Sequence, residues 1–313
     1  MFKLRTMVPD DFDRVADLIF LSTNTWYQQN MGRSAFGGSP SDCRIFCDVY
    51  EDLDPECGIV AEHKTTGMLM GSCFYHARET HVSLGIMNVH PNYFGAGVAS
   101  SILQKIIEYS EAHDLPLRLV SSAMNLDSFS LYNRFGFVPF GAYQDMYIDV
   151  PKNGLAGAND GEENEEGTKQ VREAELRDLL TMGQVEFEVS GISRERDYCY
   201  FIENDLGIWH TMVSLDEKGK VNGFLVSSDH PASSMIGPGV AKTAEAAEAL
   251  LWAQLDRFRG RRAVFLLPLN RPDIVQPMYA LGAKNCEIHF SQVRGEAQPV
   301  RGIVMPSFLP ETA

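Results

Sequence analysis

The chain contains no run of eighteen apolar residues, and its first residues, Met1-Phe2-Lys3-Leu4-Arg5, open no apolar stretch long enough for a secretory signal. These absences argue against a membrane-spanning helix and a leader peptide, so a cytoplasmic protein with no membrane partner is expected. Positive charge is also short: 27 Lys and Arg stand against 42 Asp and Glu, a net charge of −15. Nucleic-acid backbones need a basic face, which excludes a nucleic-acid partner. The six cysteines, Cys43, Cys47, Cys57, Cys73, Cys199 and Cys286, lack the paired spacing of a zinc site or a disulfide scaffold. Cys43 and Cys47 lie one helical turn apart, but no histidine stands at ligand spacing. Reduced, mostly buried thiols and no metal are therefore expected.

What remains suffices for two cores. A chain of 313 residues with 44% apolar content corresponds to about two domains. Five acidic side chains cluster in Asp160-Gly161-Glu162-Glu163-Asn164-Glu165-Glu166, within a Gly-, Ala- and Asn-rich stretch too polar to bury. The reading is a domain over 1–150, an acidic flexible linker over 151–168 and a second domain over 169–313.

Before the linker, Phe2 to Thr6 reads as a strand and Pro9 to Gln29 as a helix with Asp10, Asp11 and Asp13 at its positive end. A second helix, capped by Ser39 or Ser41, runs through Cys43, Phe46, Cys47 and Tyr50. Strands follow at Gly58 to Glu62, Met68 to His76 and Thr80 to Val89. The stretch Asn92-Tyr93-Phe94-Gly95-Ala96-Gly97-Val98 then passes through a two-glycine turn into a helix whose Ile102, Leu103, Ile106 and Ile107 recur at helical period. Such a turn aims backbone N–H groups and a helix dipole at one point, the arrangement that holds a pyrophosphate. Leu117 to Ser121 is a strand, Asn125 to Phe135 a helix, and Phe137 to Val150 a closing hairpin.

After the linker this order recurs. Strands at Ile208 to Leu215 and Val221 to Ser227 are followed by Gly237-Pro238, a helix carrying Ala247, Leu250, Leu251, Leu255 and Phe258, a strand at Ala263 to Leu267 and a helical segment at Asn270 to Leu281. Pro91 to Gly136 spans 45 positions and Pro238 to Gly282 spans 44. Laying the prolines together puts Lys242 and Ala244 over Gly95 and Gly97, so the second cradle reads as degenerate.

Two blocks carry a family resemblance. Asn92, Gly95 and Gly97 fit a Gln/Arg-x-x-Gly-x-Gly/Ala signature with Asn in first place. Asn125, Ser128, Tyr132, Gly136 and Phe137 reproduce an Asn, a small residue three later, then Tyr-x-x-x-Gly-Phe. Together they resemble the GNAT superfamily of acyl-CoA-dependent N-acyltransferases, over roughly residues 2 to 149. The resemblance implies an α/β (α+β) fold of two tandem GNAT-like domains, each a mixed, mostly antiparallel sheet flanked by helices. It implies acetyl-CoA as donor, with Met87, Val89, Asn92, Tyr93, Phe94, Gly95, Ala96, Gly97, Val98, Asn125, Ser128 and Tyr132 contacting it. The strand ending at Val89 would offer backbone groups to the pantetheine arm, with an N–H near Met87 for the thioester oxygen.

Acyl transfer to an amine needs a neutral amine, a polarised carbonyl and a protonated leaving thiolate. By the resemblance, Tyr132 falls on the acid that protonates the sulfur; as a plain residue it is a core aromatic beside Leu131 and Phe135. The base is open among His81, whose ordinary pKa suits the task, Glu79, which shares its strand face, water alone, and a residue of the variable helices. The acceptor is a primary amine of a small molecule or protein, walled by Trp26, Tyr27, Phe36 and Gly37-Gly38-Ser39-Pro40, with Asp42, Asp48, Glu51 and Asp52 suited to a cation or to solvent. The competing class is a non-enzymatic acyl-CoA sensor that recruits a partner. The oligomeric state is left open.

Overall fold

The computed structural model describes residues 1–155 and 171–311. The acidic run Asp160 to Glu166 lies outside the described residues. Chain contacts define two compact units, Met1–Leu119 with Phe308–Ala313, and Val120–Ser307.

The first unit runs β1 (Phe2–Thr6), α1 (Phe12–Met31), α2 (Arg44–Leu53), β2 (Gly58–His63), β3 (Leu69–Ala77), β4 (Val82–Val89), α3 (Val98–Ala112) and the start of β5 (Leu117–Ser122). Strands β1 to β4 pair antiparallel in sequence order, and β4 pairs parallel with β5. A short 3-10 turn, Pro40–Cys43, precedes α2, and Asp42 accepts the backbone N–H of Ser39 at 2.8 Å. That capping interaction satisfies a donor the helix itself cannot. Helices α1 and α3 take opposite faces of the sheet. Asn88 of β4 donates to Ser22 and Thr23 of α1, while Gly71, next to the cross-strand partner of Asn88, faces α3. A Cβ at Gly71 would sit 2.6 Å from Val98 Cγ1, far inside carbon contact distance, so glycine lets α3 settle on the sheet. The periodic residues of α3 are buried as their spacing predicts.

The second unit contains α4 (Leu126–Arg134), β6 (Val138–Asp149), β7 (Val171–Glu173), α5 (Leu179–Ser190), α6 (Glu195–Glu203), β8 (Trp209–Leu215), β9 (Val221–His230), β10 (Ser233–Ala241), α7 (Ala244–Asp256), β11 (Arg262–Pro268), α8 (Pro272–Ala280), β12 (Lys284–Arg294) and β13 (Ile303–Met305). Its strands lie in the order β12-β6-β11-β10-β9-β8-β7, with β13 on β10. The hairpin expected over Phe137 to Val150 is instead one strand, β6, antiparallel to both β11 and β12. Among the described residues no left-handed position interrupts Val138–Asp149, so nothing reverses the chain there. Met146, Ile148 and Val150 instead enter a core with Leu250, Leu251, Leu255, Phe258 and Phe265. Thus the last strand of the first half is packed with the second half. Helices α5 and α6, which the sequence pattern did not reveal, are joined by a buried Glu186–Arg194 ion pair at 2.7 Å.

The start of α1 in the first unit and the start of α5 in the second carry the same fastening. Arg5 grips Asp11 through two hydrogen bonds of 2.6 and 2.8 Å, and Arg172 grips Asp178 through two of 2.7 and 2.8 Å. Both aspartates also accept a backbone N–H three residues earlier, from Val8 and Glu175. This equivalence supports a duplicated architecture independently of the glycine motifs. The arginine hydrogen bonds, against an opposing effect of burial, hold both carboxyls below the ordinary aspartate range. Folding stability from this source is therefore complete above the unfolded pKa of about 3.9 and is lost as pH falls through the lowered folded value. Asp11→Asn and Asp178→Asn should each cost about 2 kcal/mol near neutrality in thermal or denaturant unfolding. The cost should shrink on acidification; a cost independent of pH would contradict this account.

Candidate functional site

In the first unit β4 is only half paired on one side. Its ladder with β5 consists of Val82 with Leu117 and Ser83 with Arg118, and Leu84 to Val89 have no registered partner there. A β-bulge interrupts the other ladder: Cys73 pairs with Met87, whereas Tyr75 pairs with Leu84. Bulges re-aim backbone and side chains beside functional sites. Backbone groups near Met87 and Val89 thus border a gap in the sheet, and the family resemblance would lay the pantetheine arm along this strand.

Strand β4 then delivers the chain to the glycine turn. The imidazole of His90 accepts the Asn92 N–H at 3.2 Å, and Pro91–Tyr93 form a 3-10 turn. Gly95 and Gly97 have φ of 75° and 80°, the left-handed region that favours glycine. Among the described residues, neither would meet another atom within 4 Å if given a Cβ, so open space lies on their side-chain flank. Gly97 is the N-cap of α3 and makes no side-chain cap, which leaves the first-turn N–H groups directed outward. Asn92, Phe94, Gly95, Ala96 and Gly97 are exposed, while Val98 is buried beneath them. An exposed helix N-terminus without its own cap, preceded by two left-handed glycines, can take a phosphate.

The second block lies on α4 in the other unit. Asn125 is its N-cap and accepts the Ser128 N–H at 3.0 Å, so these two residues are linked by helix capping. Tyr132 is 6% exposed, with its ring centroid 5.7 Å from that of Phe137.

The base candidates occupy the opposite end of β4 from the turn. The strand expected from Thr80 begins at Val82. Glu79 is exposed in the β3–β4 connection, and His81 is fully buried there, its Nδ1 3.0 Å from Thr80 Oγ1. A buried cluster secures that connection. Asp54 bonds His76, and accepts from Arg78 at 2.7 Å. Burial raises the Asp54 carboxyl, but these partners outweigh it and hold it at about 2.

Two polar residues that sequence reasoning did not select lie on or beside the second half of β4. The amide of Asn88 is tied to α1, yet its Oδ1 is buried without a hydrogen-bond partner among the described residues, an acceptor suited to an incoming N–H. Glu311 is the other, 8% exposed. Tyr50 donates its hydroxyl to the Phe308 carbonyl at 3.2 Å and accepts the Glu311 N–H at 3.3 Å; it also bonds the backbone of Ile86. Burial, with the Glu311 charge second, pushes both the Tyr50 hydroxyl and the Cys73 thiol upward. Cys73 is the cross-strand partner of Met87. No local pattern in the sequence could show that a carboxylate near the far end of the chain returns to this strand.

On the acceptor side, Asn24 of α1 clamps the following loop. Its Oδ1 accepts the N–H groups of Ala35 and Phe36, and its Nδ2 donates to the Phe36 carbonyl. Trp26 and Tyr27 meet edge to face at 5.0 Å. Some expected acids have structural partners: Asp42 bonds Ser39 and Asp48 pairs with Arg44. All six cysteines are free, with Cys43, Cys47 and Cys73 buried.

Among the described residues the second half has no equivalent turn. Gly239, Val240 and Ala241, which proline spacing laid over Asn92 to Phe94, belong to β10, and only Lys242 and Thr243 separate it from α7. Thr243 caps α7 by accepting the Ala246 N–H at 3.3 Å, and Lys242 pairs with Glu188 at 2.5 Å. The cradle is thus shortened away, beyond the loss of its glycines.

A model of the Acetyltransferase (GNAT) family matches residues 23–137, and one of the Acetyltransferase (GNAT) domain matches residues 191–299. The chain belongs to the GNAT acetyltransferase family and carries two such domains in tandem. Among solved structures, it is similar to a proposed acetyltransferase of Pyrococcus horikoshii at 15% identity and TM-score 0.73, covering 100% of this chain and 96% of the other. It is also similar to a GCN5-related N-acetyltransferase of Sphaerobacter thermophilus, at 16% identity and TM-score 0.64 over 93% and 95% of the two chains. A tandem GNAT protein from the clavulanic acid biosynthesis pathway matches at 12% identity and TM-score 0.60 over 95% and 100%. At these identities the likeness is one of fold. No curated protein sequence matches the chain. The mixed α/β architecture of two GNAT domains follows, as does the general capacity of this fold for acyl transfer from a coenzyme A thioester. No described helix is long and apolar enough to cross a membrane.

If the turn holds a pyrophosphate, Gly97→Glu should weaken coenzyme A binding at least tenfold, about 1.4 kcal/mol, in titration calorimetry. The carboxylate would repel the phosphates, and Gly97→Ala, which adds only backbone strain, should lose less. Unchanged affinity in Gly97→Glu would remove the turn from the site.

Proposed function

We propose that this protein is an acyl-CoA-dependent N-acyltransferase that moves an acetyl group from acetyl-CoA to a primary amine of a small molecule or protein by direct attack. The observation that carries this reading is the half-paired β4 leading into the Gly95–Gly97 turn at the start of α3. Coenzyme A residues are Met87, Val89 and Asn92 to Val98 in the first unit, and the family resemblance adds Asn125, Ser128 and Tyr132. The open side of β4 supplies N–H and C=O groups to the amide-bearing arm, and an N–H near Met87 polarises the thioester carbonyl.

Tyr132 is the proton donor to the departing thiolate. For the base, the strand geometry weighs against direct action by His81: six residues separate it from Met87, about 20 Å of extended chain. Glu79 is farther still in sequence. Glu311 is the favoured base, because Tyr50 fastens its backbone next to Ile86. In this scheme the carboxylate takes the ammonium proton, the neutral amine attacks the carbonyl, and Tyr132 protonates the sulfur as the thioester bond breaks.

General acid and base groups typically contribute about 10²- to 10⁴-fold to rate. With an amine panel and a thiol-release assay, Tyr132→Phe should retain coenzyme A binding and lose turnover in that range. Glu311→Gln should lower turnover with little change in donor KM and should abolish the acidic limb of the pH–rate profile; His81→Ala and Glu79→Ala should retain that limb. If Glu311→Gln keeps the wild-type profile while His81→Ala loses it, the base passes to His81. Acetyl-CoA binding without transfer to any amine would favour the sensor class.

A further inference from the structure

The second unit holds a mixed cluster of ligand-type side chains that acyl transfer does not use. Glu287 on β12 is the cross-strand partner of Asp145 on β6. His289, two residues beyond Glu287, shares its face by strand alternation. A bulge at Cys286 sets this register, Asn285 pairing with Met146 and Glu287 with Asp145. The three residues are 6%, 3% and 4% exposed for Asp145, Glu287 and His289. One ligand atom from each lies within 4.8 Å of the others.

We propose that Asp145, Glu287 and His289 bind one divalent transition-metal ion. Bonds of about 2.0 to 2.2 Å from zinc to nitrogen and oxygen separate ligands around one ion by about 3 to 4.3 Å. The His289 Nδ1 to Asp145 Oδ2 distance of 3.7 Å falls in that range and is longer than a hydrogen bond. Modest inward movement brings all three onto one centre. Two carboxylates balance the charge of a 2+ ion, and a two-oxygen, one-nitrogen set suits zinc, manganese or cobalt better than calcium, which takes six to eight oxygens. Ser122 donates its hydroxyl to Glu287, an outer hydrogen bond of the type that orients metal ligands.

The ion would brace a particular piece of the fold. The Ala123 N–H donates to the Ile288 carbonyl at 2.8 Å, and Ser122 Oγ accepts the Met124 N–H at 3.1 Å. The turn before α4 therefore hangs from the strand that carries two of the three ligands. This site stands independently of the acyltransferase reading.

The test uses the full-length protein, stripped with a chelator and dialysed, then titrated with Zn²⁺ and Mn²⁺ by calorimetry and with Co²⁺ by absorption. One ion should bind per chain, raise the thermal midpoint, and give a cobalt spectrum lacking thiolate charge transfer. Asp145→Asn, Glu287→Gln and His289→Ala should each weaken binding at least tenfold; the near-isosteric Asn and Gln variants guard against simple unfolding. Absence of saturable binding by the wild type overturns the proposal. So does wild-type affinity in the folded variants, or a cobalt–thiolate band.

Discussion

A strand inside a sheet that loses its neighbour leaves N–H and C=O groups that another partner must satisfy. Strand β4 is in that position beyond Ser83, where its ladder with β5 stops. The rest of the first unit follows from keeping this edge open yet rigid. The opposite edge stays paired to β3 across a bulge, Asn88 is tied to α1, and the buried Asp54–His76–Arg78 cluster fixes the turn where β4 begins. The left-handed glycines then bring the start of α3 to the end of the open edge. A linear ligand with amide groups along its length and phosphates at one end matches that order of backbone donors, acceptors and helix dipole.

The two GNAT domains share a scaffold but not this opening. The paired Arg5–Asp11 and Arg172–Asp178 fastenings show how closely the second copy keeps the first one's local architecture. Its cradle is closed by simple means: β10 runs on through Ala241, and Thr243 satisfies the helix start that Gly97 leaves bare. The second domain also receives β6, whose Met146 and Ile148 fill its core. Loss of the second cradle therefore leaves the packing intact.

Local features were legible in the sequence. The apolar period of Val98, Ile102, Leu103, Ile106 and Ile107 gave α3 and its buried face, and the glycine pair gave a turn with positive φ at both positions. The cap at Asn125 needed only its own helix. Features set by distant partners were not legible. Phe137 to Val150 has the composition of a hairpin, and only pairing with β11 and β12 makes it one strand. Proline spacing matched the two halves almost perfectly while hiding that Pro238 lies within a strand and Pro91 beyond one. Glu311 beside Tyr50, and Asp145 beside Glu287 and His289, join residues that no window of sequence contains together.

The central claim is that the family's cofactor chemistry resides in one opening, formed by β4 and the Gly95–Gly97 turn, and that the second domain has none. Calorimetric titration of the full-length protein with coenzyme A measures this directly. A single class of sites with a stoichiometry near one per chain is the result this account predicts. Two equivalent sites per chain would contradict it, because the second would have to use a strand-to-helix junction that Lys242 and Thr243 leave no room to open.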